Sequence, residues 1–446
     1  MKNKYQILLP EWIITVNDAF EVLKDYALVI DQNCIHSLLP TTEAHQLPVY
    51  AEAEVVHLPN HVVMPGLVNA HTHASMSLFR GLANDLPLMD WLTQYMWPAE
   101  TKWIDPAFIH DGFELAAAEM IRSGTTCLND MYFFPDVVAQ TAQQIGLRTV
   151  VGLIVLDFAT VWAKDAGEYL SKAMAVHDAI KSFPLVTAAL APHAPYTVSD
   201  EPLEKIAMFS NELDLSIHMH IHETAHEVIE AEKNSGVRPL HRLDQLNLLN
   251  PNLIAVHMTE LDQFEIERVA ETGVHVAHCP ESNLKLASGL CPVAKLQQHG
   301  INVCLGTDGA ASNNDLDMLS EMRTAALLAK GVSGDARACH ARQAIQMATI
   351  NGARALGLAD ETGSIEVGKQ ADIIALDMSS LNTQPLYDPV GQIVYAAHGN
   401  QVSHVWIAGQ CQLQDFQFCH LDADEIRYKT RQWRQKIYDS GQCRST

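Results

Sequence analysis

The sequence predicts an α/β protein: a (β/α)8 barrel with a small β domain assembled from both chain ends. Three features of its 446 residues carry that reading. Between residues 61 and 362, apolar β segments alternate with amphipathic helical ones, the mark of a parallel sheet with crossover helices. The flanks, 1–60 and 363–446, are instead rich in short β segments. Eight strand candidates spread over about 300 residues, the arithmetic of this barrel.

A chain this long can bury one large core beside a smaller one. Hydrophobic residues make up 48% and charged residues 18%, a globular balance. The formal net charge of −24 argues against nucleic acid or an anionic membrane as partner, since both demand basic patches. Small-molecule substrates stay open, as does a homo-oligomer. No apolar run approaches the ~20 residues of a spanning helix. The apolar stretch within residues 1–10 is too short for a secretory leader and is broken by Glu11. Nine cysteines, an odd count without a Cys-x-x-Cys pair, predict a reduced, cytoplasmic protein. Cys279 reads as a small buried apolar residue.

In chain order, the N-terminal β segments fall at 6–16, 21–30, 34–39 and 53–58, with Asp31-Gln32-Asn33 as turn chemistry. Barrel strands are predicted at 62–69, 125–129, 148–155, 185–191, 215–221, 253–257, 273–278 and 302–306. Several are near-continuous apolar runs, as buried parallel strands should be. Helical patterns between them include 106–123, 136–145, 200–213, 261–271 and 315–330. β texture returns at 363–376, 392–397 and 402–412, and a polar helix is expected over 422–440.

Active sites of such barrels sit at the C-terminal strand ends, and the histidines collect there. The first strand runs into His71-Thr72-His73. Alternate residues of a strand point the same way, so both imidazoles can aim at one metal. Among 22 histidines a His-x-His arises by chance about once, and His218-Met219-His220 and His220-Ile221-His222 are further examples. The coincidence of strand ends carries more weight. The fourth strand runs into Pro192-His193 and the fifth into His220-Ile221-His222-Glu223. The sixth ends at His257, the seventh at His278, and the eighth runs into Thr307-Asp308. A lone histidine on an apolar strand is ordinarily a core residue; strand ends that repeat it around one rim predict a metal centre.

The stretches PGLVNAHTHASMSLFRG, MDWL, LAPHAPYT, HIHET, HCPESNLKLASG, GTDGAASNN and VGKQADIIALD occur in this order. With them the chain resembles the amidohydrolase superfamily. Within it, the chain resembles the methylthioadenosine/S-adenosylhomocysteine deaminases, in the same branch as the triazine chlorohydrolases. The resemblance covers nearly the whole chain and implies a (β/α)8 barrel with a β-sandwich from both ends. It implies His71, His73, His220 and Asp308 as metal ligands. The His-x-x-Glu spacing selects His220, paired with Glu223, over His222. Members with two metals bridge them with a carboxylated lysine ending strand four. Here Leu190-Ala191-Pro192-His193 offers none, so one divalent metal is expected, with zinc the first choice for three imidazoles and a carboxylate. Iron has the same ligand tastes.

The resemblance implies hydrolytic deamination of 5′-methylthioadenosine, and less efficiently of S-adenosylhomocysteine or adenosine, to the inosine analogue and ammonia. A metal-bound water of lowered pKa would supply hydroxide. Asp308 would take its proton and pass it to the departing amino group. Glu223 would share a proton with ring nitrogen N1, and His257 would orient the attacking oxygen. Substrate contacts implied are Glu100 for the ribose diol, Trp91 as an aromatic wall, His193, and Ser312. His278 and Asn283 sit near the site without an assigned role.

Two departures bear on the 5′ substituent. Relatives that accept S-adenosylhomocysteine well carry an arginine after the Gly-x-Arg of strand three. Here Gly146-Leu147-Arg148 is followed by residues 149–155 without one. A histidine that often follows Glu223 by two is Ala225, with His226 next to it. A small thioether tail is therefore expected, resting on Leu153, Val155 and the methionines near His73. A guanine deaminase or triazine chlorohydrolase is the alternative on the same scaffold; Glu223, Asp308 and Glu100 together favour an aminopurine nucleoside. A metal-free structural homologue would not need its four ligand positions filled.

Overall fold

The computed structural model describes residues 5–439. Eight parallel strands follow one another in chain order, each paired with the next: Leu67–Thr72, Thr125–Tyr132, Arg148–Val155, Val186–Pro192, Ile217–Ile221, Leu253–His257, His275–His278 and Val303–Leu305. Helices connect them. Pro106–Arg122 starts where the Asp105 side chain accepts the Phe108 N–H, with Pro106 in the first turn. Such a cap contributes ~1 kcal/mol, and proline there gives up no intrahelical hydrogen bond. Pro135–Ile145 stops at Gly146, whose φ of 80° suits the left-handed cap.

The eighth strand is only three residues long, and it meets the first through few bonds. The Asp308 N–H donates to the His71 carbonyl at 3.0 Å. The Asn69 side chain donates to Thr307 Oγ1 at 2.8 Å and accepts the Thr307 N–H at 3.0 Å. Gly306 permits this approach: a Cβ there would lie 2.8 Å from the N, O and Cβ of His71. The ends of strands one and eight thus approach closely because Gly306 has no side chain.

Strands from both chain ends form a second sheet of nine, with Glu54–Pro65 lying between Tyr5–Ile14 and Ile373–Asp377. Arg148, at the start of the third barrel strand, ties the sheets together. Its Nε is 2.6 Å from Asp372 Oδ2, and its Nη2 is 2.7 Å from Gln370 Oε1. Arg148 therefore sits at the opposite end of its strand from the rim.

Several sequence expectations change. The strand predicted at 62–69 divides at Gly66. Val62 pairs with Trp12 and Leu376 in the end sheet, whereas Leu67 opens the barrel. A Cβ at Gly66 would meet Thr126 Oγ1 at 2.0 Å, so glycine makes the crossing between sheets. The segment 392–397, read as β, belongs to the helix Pro389–Tyr395. Asp388 caps it by accepting the Val390 N–H, and Val390, Ile393 and Val394 bury one face at helical spacing. The segment 21–30 breaks at Asp25, which has φ 58°. Of 363–376, only the end is strand. Short helices Thr41–Ala44 and Pro48–Ala51 appear where the sequence shows no helical period. The C-terminal helix is Ala423–Asp439; Ser440, its predicted last residue, lies outside the described residues, as do residues 1–4. Among the described residues all cysteines are free, Cys279 is buried, and no helix is long and apolar enough to cross a membrane.

Candidate active site

The first strand delivers His71 and His73 to the rim with Thr72 between them, its hydroxyl donating to the Asp308 carbonyl at 2.9 Å. His220 comes from the fifth strand and Asp308 from the loop after the eighth. The Nε2 atoms of His71 and His73 each lie 3.3 Å from Asp308 Oδ1. The Nε2 of His220 lies 3.3 Å from that of His71.

The opposite ring nitrogens explain the aim. The Nδ1–H of His73 donates to the Met131 carbonyl at 2.5 Å, and that of His220 to the His193 carbonyl at 2.8 Å. His71 Nδ1 pairs with His218 Nε2 at 2.8 Å. With Nδ1 protonated, each Nε2 presents a lone pair to the common centre. Burial holds His71 down to about 4 and His220 well below the usual imidazole range, so both rings are neutral. Burial pushes the Asp308 carboxyl up, but its contacts with His71, His73 and His257 outweigh it and hold the group well below the usual carboxylate range. Three imidazoles and one carboxylate converging on a single centre fit a divalent metal.

Around this cluster the carboxylates are held differently. Asp308 Oδ2 accepts from the hydroxyls of Ser282 at 2.6 Å and Ser312 at 2.9 Å, while Oδ1 accepts the Gly309 N–H at 2.7 Å. Glu223 has no such donors on its carboxyl among the described residues; burial, and then the charge of Asp308, push it up to about 8. Its Oε2 lies 3.8 Å from His257 Nε2. His257 in turn donates from Nδ1 to Asn283 Oδ1 at 2.8 Å, which turns Nε2 toward the centre.

The cluster forms the floor of a cavity of about 470 Å³. Trp91, Glu100, His193, Glu223, His257 and Ser312 all line it with His73, His220 and Asp308. Glu100 accepts the Tyr132 hydroxyl at 2.8 Å, and burial pushes its carboxyl up to about 7. His193 is held by Thr197 and lowered to about 3 by burial and the neighbouring histidines, so it too is neutral. Among the described residues, no lysine or arginine lines the cavity. Phe158, Val161 and Trp97, all partly exposed, form part of its wall.

The residues expected to bind metal, act in catalysis or contact substrate therefore lie together, with three refinements. The Ser312 hydroxyl bonds Asp308 rather than standing free. His222 is turned away, bonded to the Glu260 carbonyl and the Leu240 N–H. The apolar wall is not made by Leu153 and Val155, which are fully buried off the cavity; Ile154 and Leu156 line it instead. Side chains of a strand alternate, so the neighbouring residues of opposite parity face the ligand. Met76 and Met131 do line the cavity. The carbonyls of Met131 and His193, the Tyr132 hydroxyl, Ser282, and Glu227 behind Glu223 complete the site without a signal in the sequence. His278 is buried, and neither ring nitrogen has a hydrogen-bond partner among the described residues.

Comparison with known proteins agrees with this geometry. The model of the amidohydrolase family matches residues 62–411. A 5-methylthioadenosine/S-adenosylhomocysteine deaminase of Teredinibacter turnerae is 48% identical over 426 residues, covering 96% of each chain. The crystal structure of a zinc-bound adenosine deaminase from Xanthomonas campestris superposes with a TM-score of 0.96 at 49% identity, covering 97% of this chain and 98% of that one. An atrazine chlorohydrolase of Arthrobacter aurescens shares the fold at 22% identity, with a TM-score of 0.88 over 96% and 99% of the two chains. The chain belongs to the amidohydrolase family, in its methylthioadenosine/S-adenosylhomocysteine deaminase branch.

Proposed function

We propose that this chain hydrolytically deaminates 5′-methylthioadenosine to its inosine analogue and ammonia, and S-adenosylhomocysteine or adenosine less efficiently. One observation carries the reading. A carboxyl that keeps its proton at neutral pH, Glu223, and an ionised one, Asp308, share the floor of one cavity with the histidine cluster. Deamination of an aminopurine needs such a pair, because the ring must gain a proton while water loses one. The names of the relatives support the substrate class.

We assign His71, His73, His220 and Asp308 to one zinc ion, as the donor set and the zinc-bound relative suggest. When bound, the metal supplies the Lewis acidity that makes water a nucleophile near neutral pH. The protein groups do the rest. His257, fixed through Asn283, accepts a hydrogen bond from the attacking water and sets its direction toward C6. Asp308 takes one proton of that water. Glu223 donates its proton to N1, which makes C6 electrophilic as the C–O bond forms. The proton on Asp308 passes to the amino group, the C–N bond breaks, and ammonia leaves. The proton remaining on the C6 oxygen returns to Glu223, so the product keeps its N1–H and the enzyme is restored.

Glu100, held through one oxygen by Tyr132, has lone pairs left for the ribose diol. Trp91 and His193 flank the base, and Ser312 acts through Asp308. We further assign catalysis to residues 61–362, with 1–60 and 363–446 forming the β domain, and place this reduced-thiol protein in the cytoplasm. A spectrophotometric screen with methylthioadenosine, S-adenosylhomocysteine, adenosine, guanine and melamine tests the reading. Only the three nucleosides should react, methylthioadenosine best. Turnover of guanine or melamine without nucleoside turnover would replace it by the alternative hydrolases.

A further inference from the structure

His222 and Glu223 leave the fifth barrel strand through a turn in which His222 has φ 53°, a conformation unfavourable for a residue with a Cβ. The helix Ala225–Ser235 follows, and its cap residue Thr224 accepts the Glu227 N–H at 3.3 Å. Glu227, the third residue of that helix, folds its carboxylate back over the turn. Oε1 accepts the His222 N–H at 3.1 Å and Oε2 accepts the Glu223 N–H at 2.8 Å. In the common capping box an acid at this position returns to the N–H of the cap residue itself. Here it reaches one and two residues further, to the pair that carries the catalytic carboxyl. From the other side, the Thr259 hydroxyl lies 2.9 Å from the Glu223 carbonyl and 3.1 Å from that of His222. Glu227 is only 9% exposed. A buried carboxylate is unfavourable unless its lone pairs are met, and capping a helix does not require one.

We propose that Glu227 is a positioning residue, whose two-oxygen grip on the His222 and Glu223 N–H groups aims the Glu223 carboxyl at the purine nitrogen. The inference rests on the proton-donor role proposed for Glu223, and its test separates the two. The experiment compares Glu223→Gln, Glu227→Gln and the double variant with methylthioadenosine as substrate, with metal content and Tm measured on each. An amide at 227 keeps one acceptor and turns its NH2 toward the other N–H, so half the grip is lost. Glu227→Gln should lower kcat about tenfold with KM within about twofold of wild type, since misplacement damages the transition state more than binding. The double variant should be no slower than Glu223→Gln, because aim is irrelevant once the proton is gone. Glu227→Asp, which keeps the charge but reaches one N–H, should fall between wild type and Glu227→Gln. It carries the same comparison if the glutamine variant does not fold. Full multiplication of the two single effects would mean that Glu227 acts elsewhere and would overturn the proposal. So would unchanged kcat in Glu227→Gln, or metal loss with normal turnover per loaded chain. A near-normal Glu223→Gln would instead remove the role of Glu223 itself, and this inference with it.

Discussion

Replacing Phe158 with arginine probes why this cavity should prefer a small neutral 5′ substituent. Phe158 lines the cavity and is 47% exposed, so a guanidinium there can stay hydrated without disturbing the barrel. In the native protein the lining holds no lysine or arginine among the described residues, and His193 is neutral. On the proposed reading, the amino-acid tail of S-adenosylhomocysteine would find no lysine or arginine for its carboxylate among the described lining residues, whereas a methylthio group would need only apolar neighbours such as Ile154, Leu156 and Met131. The tail can remain partly in solvent at the exposed mouth, so the penalty is modest. A handicap of ~1.4 kcal/mol makes methylthioadenosine roughly tenfold better in kcat/KM. A half-exposed charge pair contributes at most about 1 kcal/mol, so Phe158→Arg should improve the ratio for S-adenosylhomocysteine about fivefold. Steady-state kinetics on both substrates decide it. Equal or reversed efficiencies in the wild type would refute the reasoning, and so would a folded Phe158→Arg enzyme with an unchanged ratio.

Four further outcomes follow from the same geometry. Glu223→Gln should lower turnover at least ~10²-fold with metal content intact; loss of metal with normal turnover would make Glu223 a ligand. In the wild type the donor form of Glu223 is present below its pKa, pushed up to about 8, so kcat should fall as pH rises through that region. Dialysis against a chelator should abolish activity, and elemental analysis should find one metal per active chain; two would contradict the single His/His/His/Asp centre. Gly306→Ala would place a Cβ 2.8 Å from the backbone of His71. Overpacking of this kind costs ~1–3 kcal/mol, and a shift of about 1 Å between His71 and Asp308 lowers turnover ~10²-fold. Calorimetry and kinetics on that variant check both effects.

The barrel was legible because its strands are apolar runs of the right length, and because histidines recur at their ends. His71, His73, His257 and Asp308 stand out by position at the strand ends, whereas the choice of His220 over His222 rests on the His-x-x-Glu spacing of the family resemblance. What escaped the sequence is of another kind. The carbonyls of Met131 and His193, which orient two of the imidazoles, belong to no residue type and leave no pattern. The segment 392–397 reads as β from its Ile-Val pair, yet Asp388 and Pro389 just upstream start a helix. Gly66 hides a change of sheet inside one apolar run. The parity that puts Ile154 and Leu156, not Leu153 and Val155, on the cavity wall depends on register, which a single strand does not reveal. Glu227 lies four residues past Glu223, a spacing that on its own indicates only a helix face.

The most direct test of the account is hydrolysis of methylthioadenosine by the metal-loaded protein in ¹⁸O-labelled water, with product and ammonia quantified together. Attack of water at C6 predicts one ammonia per nucleoside consumed and a single ¹⁸O on C6 of an otherwise intact methylthioinosine. Release of free adenine, or turnover without ammonia, would show that the histidine-lined cavity performs a different reaction.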